Sequence, residues 1–117
     1  MRRALPATLA IAVAATVAVA VPGSSATTKN VKVGDDYFVR VGMPFPTVTV
    51  KRNTRVRWQF RGDSAHDVSV RKGPVKFASK AMSEGSYSRK MTRRGTYRIL
   101  CTIHGAGSQS MTLRVTR

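Results

Sequence analysis

The stretch RVRWQFR, residues 55–61, alternates strictly between polar and large apolar side chains. Successive side chains of a β-strand point to opposite faces, so Val56, Trp58 and Phe60 share one face while the arginines share the other. This alternation is typical of a strand that is buried on one side and solvated on the other. The stretch therefore predicts a sheet with a hydrophobic core against one of its faces.

Short alternating stretches of the same kind recur on both sides of this segment and predict further strands. They are Val31–Val33, Tyr37–Val41, Thr47–Lys51, His66–Arg71, Tyr87–Met91, Thr96–Leu100 and Met111–Val115. Turn residues separate them at Gly34-Asp35, at Asn53 and before Gly95. Residues 62–65 are expected to form a loop, and residues 72–84 an irregular stretch with room for a short helical turn. Short strands at this density favour a small all-β antiparallel sandwich.

The length and composition exclude several classes of protein. A chain of 117 residues has room for one domain, which excludes a multi-domain enzyme. Its single cysteine excludes a disulfide-stapled mini-protein, and it also excludes a zinc finger with two cysteines and two histidines. No long low-complexity block carries the net charge of +16, so the charge is compatible with a folded core.

Residues 1–26 have the three-part layout of a secretory signal peptide. Arg2 and Arg3 are followed by an apolar run from Ala7 to Val21, and small residues at 24–26 provide a cleavage site. An uncleaved membrane anchor is the alternative, but the run is shorter than the roughly 20 residues that span a bilayer. We therefore expect residues 27–117 to form the mature domain. It would be exported to the periplasm, the cell envelope or the extracellular space.

The single cysteine, Cys101, lies three residues before one of the two histidines, His104, at the end of a predicted buried strand. The other histidine, His66, lies 35 positions before Cys101 at the start of a different predicted strand. Taken singly, an inert buried thiol and a hydrogen-bonded surface histidine are the simpler interpretations. Taken together, one thiolate and two imidazoles suit copper, because the soft thiolate stabilises Cu(I) and imidazole serves both oxidation states.

The segment from Gly95 to Gly107 resembles the C-terminal ligand loop of the plastocyanin-like cupredoxins, which are small type 1 blue copper proteins. Residues 36–38, 48–50, 56–58 and 63–66 follow the family pattern in the same order with similar spacing, so the resemblance covers about residues 31–115. It implies a Greek-key β-sandwich that holds one copper ion. It also implies that His66, Cys101 and His104 are the equatorial ligands and that the ion carries single electrons.

Two positions depart from the family pattern. The axial ligand is usually a methionine five positions after the loop histidine, and that position here is Gln109. Met111 is the alternative axial ligand, although strand alternation would point it into the core. Asp67 stands where the family usually has an asparagine that joins the two ligand loops, which leaves open whether the carboxylate binds Arg71 or a backbone amide instead.

The basic surface indicates anionic partners. Residues 27–117 contain 19 Lys and Arg against 5 Asp and Glu. Such an excess favours association with an acidic redox protein, or with an anionic membrane or wall surface. Export and the scarcity of aromatic residues at stacking positions argue against nucleic acid. The protein is expected to be a monomer.

The sequence thus predicts an exported copper protein that carries single electrons. One alternative is a copper carrier or chaperone that uses the same ligands without transferring electrons. Another is a metal-free cationic β-sandwich that serves as an interaction module, with Cys101 merely buried. An enzyme is not expected, because neither a third orienting residue nor an oxyanion donor is evident beside Cys101 and His104.

Overall fold

The computed structural model describes residues 27–117, which form eight β-strands. They are β1 (Thr28–Gly34), β2 (Tyr37–Phe38), β3 (Thr47–Lys51), β4 (Arg55–His66), β5 (Ser69–Lys72), β6 (Met82–Lys90), β7 (Gly95–Leu100) and β8 (Ser110–Thr116). Within this part of the chain there is no helix with the length and apolarity that a bilayer crossing requires. The expected signal peptide, residues 1–26, lies outside the described residues.

The strands form two four-stranded sheets, in the orders β2-β1-β4-β6 and β3-β8-β7-β5. The prediction of an all-β sandwich is confirmed. Each sheet contains one parallel pair, β1 with β4 and β3 with β8, so the sheets are mixed rather than purely antiparallel. The parallel pairs arise because the chain crosses to the opposite sheet between the two partners instead of turning back in a hairpin.

The core lies between the two sheets, and the alternation in residues 55–61 determines which side of β4 faces it. Val56, Trp58 and Phe60 are buried, whereas the arginines at 55, 57 and 61 are exposed, as predicted. The Trp58 ring lies 5.9 Å from the rings of both Phe77 and Tyr87. Aromatic pairs at such distances contribute about 0.5–1.5 kcal/mol beyond area burial. These contacts make the sandwich a stiff support for the loops at its ends.

Several element boundaries differ from the sequence predictions. Strand β2 ends at Phe38 because Val39 has a φ of 76° and turns the chain away. Residues 62–65, expected as a loop, continue β4 through an irregularity in its pairing with β6. His66 consequently ends β4 instead of starting the next strand. Residues 73–81, between β5 and β6, are irregular, with no helical turn and one isolated bridge, Ser69 with Ala78. Residues 82–84, expected to be irregular, belong to β6, which begins at Met82 instead of Tyr87.

Strand directions give the sandwich two distinct ends. The upper end is the one where β1, β4 and β7 finish, at Gly34, His66 and Leu100. Strands β6 and β8 begin there, because Met82 pairs with His66 and Ser110 pairs with Leu100. The lower end is the opposite one, where β4 and β7 begin and β6 and β8 finish.

Candidate metal centre

Two strands deliver three metal-binding side chains to the upper end. His66 is the last residue of β4, Cys101 follows β7 directly, and His104 lies three residues further on in the loop to β8. The ligand atoms of these three side chains all lie within 4.8 Å of one another. The structure therefore brings together the three residues that were predicted as equatorial ligands.

The distances within this trio fit a metal ion. The Cys101 sulfur lies 3.9 Å from His66 Nδ1 and 3.4 Å from His104 Nδ1. For bonds of about 2.3 Å to sulfur and 2.0 Å to nitrogen, a trigonal arrangement places the sulfur and each nitrogen roughly 3.7 Å apart. One thiolate and two imidazoles in this arrangement are the donor set of a type 1 copper site.

The ligand loop closes on itself through its own backbone. The Gly105 N–H donates to the Cys101 carbonyl at 2.8 Å, and the Gln109 N–H donates to the Gly105 carbonyl at 3.0 Å. The Cys101 N–H in turn donates to the Gln109 carbonyl at 3.0 Å. Gly105 has a φ of 83°, a left-handed conformation that glycine adopts without the steric cost of a Cβ. These bonds limit how far Cys101 can move relative to the rest of the loop.

The Asp35 carboxylate orients His66 from the turn between β1 and β2. Its Oδ1 accepts a hydrogen bond from His66 Nε2 at 2.8 Å. With its proton on Nε2, the imidazole presents the Nδ1 lone pair to the Cys101 side of the site. Gly62 is needed beside this pair, because a Cβ there would lie 2.5 Å from Asp35 Oδ1 and 2.7 Å from His66 Nε2.

Several donors hold Asp35 in its charged form. The Asp63 N–H, the His66 ring and both the hydroxyl and the N–H of Ser64 donate to its carboxylate. The bond from the Asp63 N–H, followed by those from His66 and Ser64, holds the pKa of Asp35 well below its ordinary value. The acceptor for His66 is thus a carboxylate that remains ionised at neutral pH.

Asp67 joins the two ligand segments. It is buried, and its Oδ1 accepts a hydrogen bond at 2.7 Å from the backbone N–H of Thr102, the residue after Cys101. Its Oδ2 accepts from the Thr102 hydroxyl. The carboxylate therefore binds a backbone amide rather than Arg71, and it connects the segment after His66 with the loop that holds Cys101. A tie between the two ligand segments is present although the sequence has Asp where the family usually has Asn.

Gln109 is fully buried at the base of the same loop. Its Nε2 donates to the carbonyls of Gly34, at 2.8 Å, and Tyr37, at 2.9 Å. A carbonyl only accepts hydrogen bonds, so these contacts fix which side of the amide is the nitrogen. The Oε1 of Gln109 is buried and has no hydrogen-bond partner among residues 27–117. Buried acceptors are normally paired, so this oxygen is an available donor for a cation.

Met111, the alternative axial residue, lies on β8 and not in the ligand loop. It is buried with Leu113 and Val115 on the inner face of that strand and belongs to the hydrophobic core. The alternation along β8 accounts for this placement.

The surface around the trio is apolar and cationic. Ile103 in the ligand loop and Phe45 in the loop before β3 are 52% and 59% exposed. Phe45 and Ala106 also line a groove of about 470 Å³ on the sheet that contains β7. Its basic lining residues are Arg71, Lys72 and Arg98. His104 is only partly buried, whereas His66 and Cys101 are fully buried. His104 is therefore the member of the trio that is open to this surface.

Asp35 is the site residue that sequence reasoning missed. The residue was assigned only to a turn, because the predicted sheets were antiparallel. In the structure β1 runs parallel to β4, so both strands finish at the upper end and Asp35 lies beside His66. A carboxylate in the turn after a strand was the available signal, but it becomes informative only once the parallel pairing is known.

We expect Asp35→Asn to weaken copper binding about 10- to 100-fold, because a residue that orients a metal-binding histidine typically has this effect when it is changed. Loss of the negative charge should also raise the reduction potential, since Cu(II) is stabilised less. Asp36→Asn is the matched control, because it removes the same charge one residue further along the turn. Metal competition titration and voltammetry measure the two quantities. Equal effects of the two variants would show that Asp35 acts through net charge and does not position His66.

Solved structures similar to this chain include proteins of comparable length. An amicyanin variant shares 25% identity with it over 82% of this chain and 87% of that chain, with a TM-score of 0.59. A mutant plastocyanin of fern shares 22% identity over 75% of this chain and 100% of that chain, with a TM-score of 0.60. The likeness covers nearly the whole of both small proteins, and it confirms the predicted cupredoxin fold.

A larger protein also contains this fold. A copper-containing nitrite reductase from Thermus scotoductus shares 21% identity over 80% of this chain, with a TM-score of 0.59, but the chain spans only 23% of that protein. No family model and no curated protein sequence matches the chain. A function for this chain is therefore inferred from its fold and from the geometry of His66, Cys101 and His104.

Proposed function

Because the chain has the cupredoxin fold and its His66, Cys101 and His104 side chains fit a type 1 copper ion, we propose that it is an exported carrier of single electrons. The observation that carries this proposal is the convergence of the only cysteine and both histidines of the sequence within 4.8 Å. Independent structural roles for the three residues would not require them to meet at one point.

The proposed ligand set is His66 through Nδ1, Cys101 through sulfur, His104 through Nδ1 and Gln109 through Oε1. Gln109 is preferred over Met111 because its buried oxygen lacks a hydrogen-bond partner, whereas Met111 packs in the core. The amide nitrogen is held by two carbonyls on the β1–β2 segment, which fixes the orientation of the side chain. An amide oxygen is a harder donor than a thioether, so this set favours Cu(II) and lowers the reduction potential.

A bound copper ion would supply the one-electron couple between Cu(II) and Cu(I). The protein's part is to keep the ligand positions nearly unchanged between the two states, because rearrangement slows electron transfer. Asp35 orients His66, and Asp67 ties Cys101 to the segment after His66. The burial of His66 and Cys101 excludes water from one side of the site.

Electrons would enter and leave through His104. It is the trio's partly exposed member, and Ile103 and Phe45 provide an apolar contact surface near it. Apolar contacts allow a partner to approach closely without the cost of leaving polar groups unpaired. Arg71, Lys72 and Arg98 border the groove beside Phe45, so an acidic redox protein is the proposed partner.

A non-enzymatic role is part of the proposal. Catalytic metal sites keep one coordination position open for substrate or water. In the proposed set the fourth donor comes from Gln109, which is fully buried and anchored. A carrier needs no open position, so the closed set agrees with electron transfer.

The rate of electron exchange with an acidic redox protein should fall steeply as ionic strength rises. Electrostatic steering accelerates association roughly tenfold to thousandfold at low salt, and it is screened over about 8 Å at physiological salt. Stopped-flow kinetics of the copper-loaded protein measure this dependence. A rate that stays flat from low to high salt would contradict steering by the basic surface. If the bound copper did not cycle reversibly between Cu(II) and Cu(I) on an electrode, the alternative function of a copper carrier would be favoured instead.

Two double variants locate the steering surface. Arg71→Gln with Arg98→Gln removes two charges beside the groove, and we expect it to slow exchange at low salt. Arg52→Gln with Arg94→Gln removes the same charge at the lower end and should have a smaller effect. If both double variants slowed exchange equally, the approach of the partner would depend on net charge alone and not on the position of the basic residues.

A further inference from the structure

The lower end of the sandwich gathers basic side chains without any acidic one. Eight exposed residues form this surface, which we call the basic pole: Lys29, Lys51, Arg52, Arg55, Lys90, Arg93, Arg94 and Arg117. They come from the two ends of the chain segment 27–117, from the β3–β4 and β6–β7 turns, and from the strand residues that flank those turns. The pole thus holds eight of the 19 basic residues in this part of the chain.

Backbone hydrogen bonds hold these separate segments together. The Asn53 N–H donates to the Met91 carbonyl at 2.7 Å, which joins the turn before β4 to the turn after β6. The Arg52 N–H donates to the Thr116 carbonyl at 2.8 Å, and Arg55 pairs with Lys90 across β4 and β6. The charges are therefore displayed on one ordered surface and not on independent loops.

The carboxylates lie elsewhere. All five are in the half of the sandwich that includes the upper end: Asp35, Asp36, Asp63, Asp67 and Glu84. Within residues 27–117 the Asp35 carboxylate contacts the His66 ring, and no carboxylate lies within ion-pair distance of a lysine or arginine, so no residue of the basic pole is neutralised by one. Like charges crowded together repel, and an external anionic surface would relieve this repulsion.

The basic pole is poorly placed for electron exchange. Strand β7 separates Gly95 at the lower end from Leu100 at the upper end, and five residue steps at about 3.3 Å each give roughly 17 Å. A redox partner docked at the pole would therefore be separated from His104 by the length of the sandwich. The pole fits an attachment surface better than an electron-transfer surface.

We propose that the basic pole binds the surface of an anionic phospholipid bilayer and holds the protein with its metal-binding end facing the solvent. The course of the chain supports a lipid occupant. The Thr27 carbonyl accepts a hydrogen bond from the Arg55 N–H at 2.9 Å, so residues 1–26 join the fold at this pole. Those residues include the apolar run 7–21. If that segment were retained, it would attach the chain to the bilayer at the basic pole. If it were cleaved, the new chain start would add a positively charged α-amino group there.

Vesicle binding tests this proposal without reference to copper. The metal-free protein is mixed with vesicles of phosphatidylglycerol and phosphatidylcholine, or of phosphatidylcholine alone, and bound protein is measured by sedimentation. We expect binding only to the anionic vesicles, with release at high salt. The triple variant Arg52→Gln, Lys90→Gln and Arg94→Gln should bind roughly 100-fold more weakly, because each basic side chain near an anionic surface strengthens binding about fivefold.

The matched control removes the same charge outside the pole, by Arg71→Gln, Lys72→Gln and Arg98→Gln. We expect it to bind vesicles within a few-fold of the unmodified protein. Equal weakening by both triple variants would overturn the proposal, and so would failure of the unmodified protein to bind anionic vesicles. The proposal would also be overturned if binding of an acidic protein or a nucleic acid depended on the basic pole while vesicle binding did not.

A separate measurement tests the orientation of the protein on the vesicle surface. A small water-soluble reductant should reduce the copper-loaded protein at the same rate with and without anionic vesicles, because the metal-binding end faces away from the lipid. A clear slowing on vesicles would contradict the orientation. Failure of the protein to bind copper would leave the vesicle measurements unaffected, so the two proposals can fail separately.

Discussion

Replacement of Cys101 by serine is expected to abolish the intense visible absorption of the copper-loaded protein. That absorption is a charge transfer from thiolate to Cu(II), and Cys101 is the only cysteine in the chain. The His66→Ala and His104→Ala variants should each bind copper more weakly or admit water to the site. Absorption spectra of the variants after copper addition measure the effect. A Cys101→Ser protein with the full absorption would contradict the assignment.

The Cys101→Ser result depends on an intact fold, which needs its own measurement. Cys101 is fully buried, and an unpaired buried hydroxyl costs about 1–3 kcal/mol. Thermal unfolding of the metal-free variant should therefore show a lower midpoint but still a cooperative transition. This separates loss of the thiolate from loss of structure.

The Gln109→Met variant is expected to raise the reduction potential while it keeps the visible absorption. A thioether is a softer donor than an amide oxygen and stabilises Cu(I) relative to Cu(II). We expect a rise of at least about 59 mV, which corresponds to a tenfold change in a one-electron equilibrium. Voltammetry of the copper-loaded variant gives this value.

Met111→Leu is the matched control for the axial assignment, because it removes a thioether from the core with little change in volume. It should leave both the potential and the spectrum nearly unchanged. The opposite pattern, in which Met111→Leu shifts both quantities and Gln109→Met shifts neither, would assign the axial position to Met111.

The sequence was informative about the sandwich because alternation reports burial directly. Residues 55–61 identified the inner face of β4, and the same rule placed Met111 in the core. Alternation carries no information on strand direction, since a parallel and an antiparallel strand have the same period. The parallel pairing of β1 with β4 was therefore missed, and the role of Asp35 was missed with it.

The candidate ligands were predicted because copper restricts the donor types and the chain holds few of them. One cysteine and two histidines leave little choice for a thiolate–imidazole site. Contacts around the ligands were harder to predict, because they depend on atomic positions. Asp67 could bind Arg71 or a backbone amide on sequence grounds, and only the geometry selects the N–H of Thr102. The division of charge between the two ends likewise requires knowledge of strand directions.

The most direct measurement of the central claim is a titration of the purified metal-free protein with Cu(II), followed by visible absorption. The account predicts saturation at one copper ion per chain, with an intense thiolate-to-copper band that grows until saturation. Weak binding without this band would contradict the electron-carrier assignment and favour a copper carrier. No binding at all would contradict the metal site itself and leave a metal-free cationic sandwich.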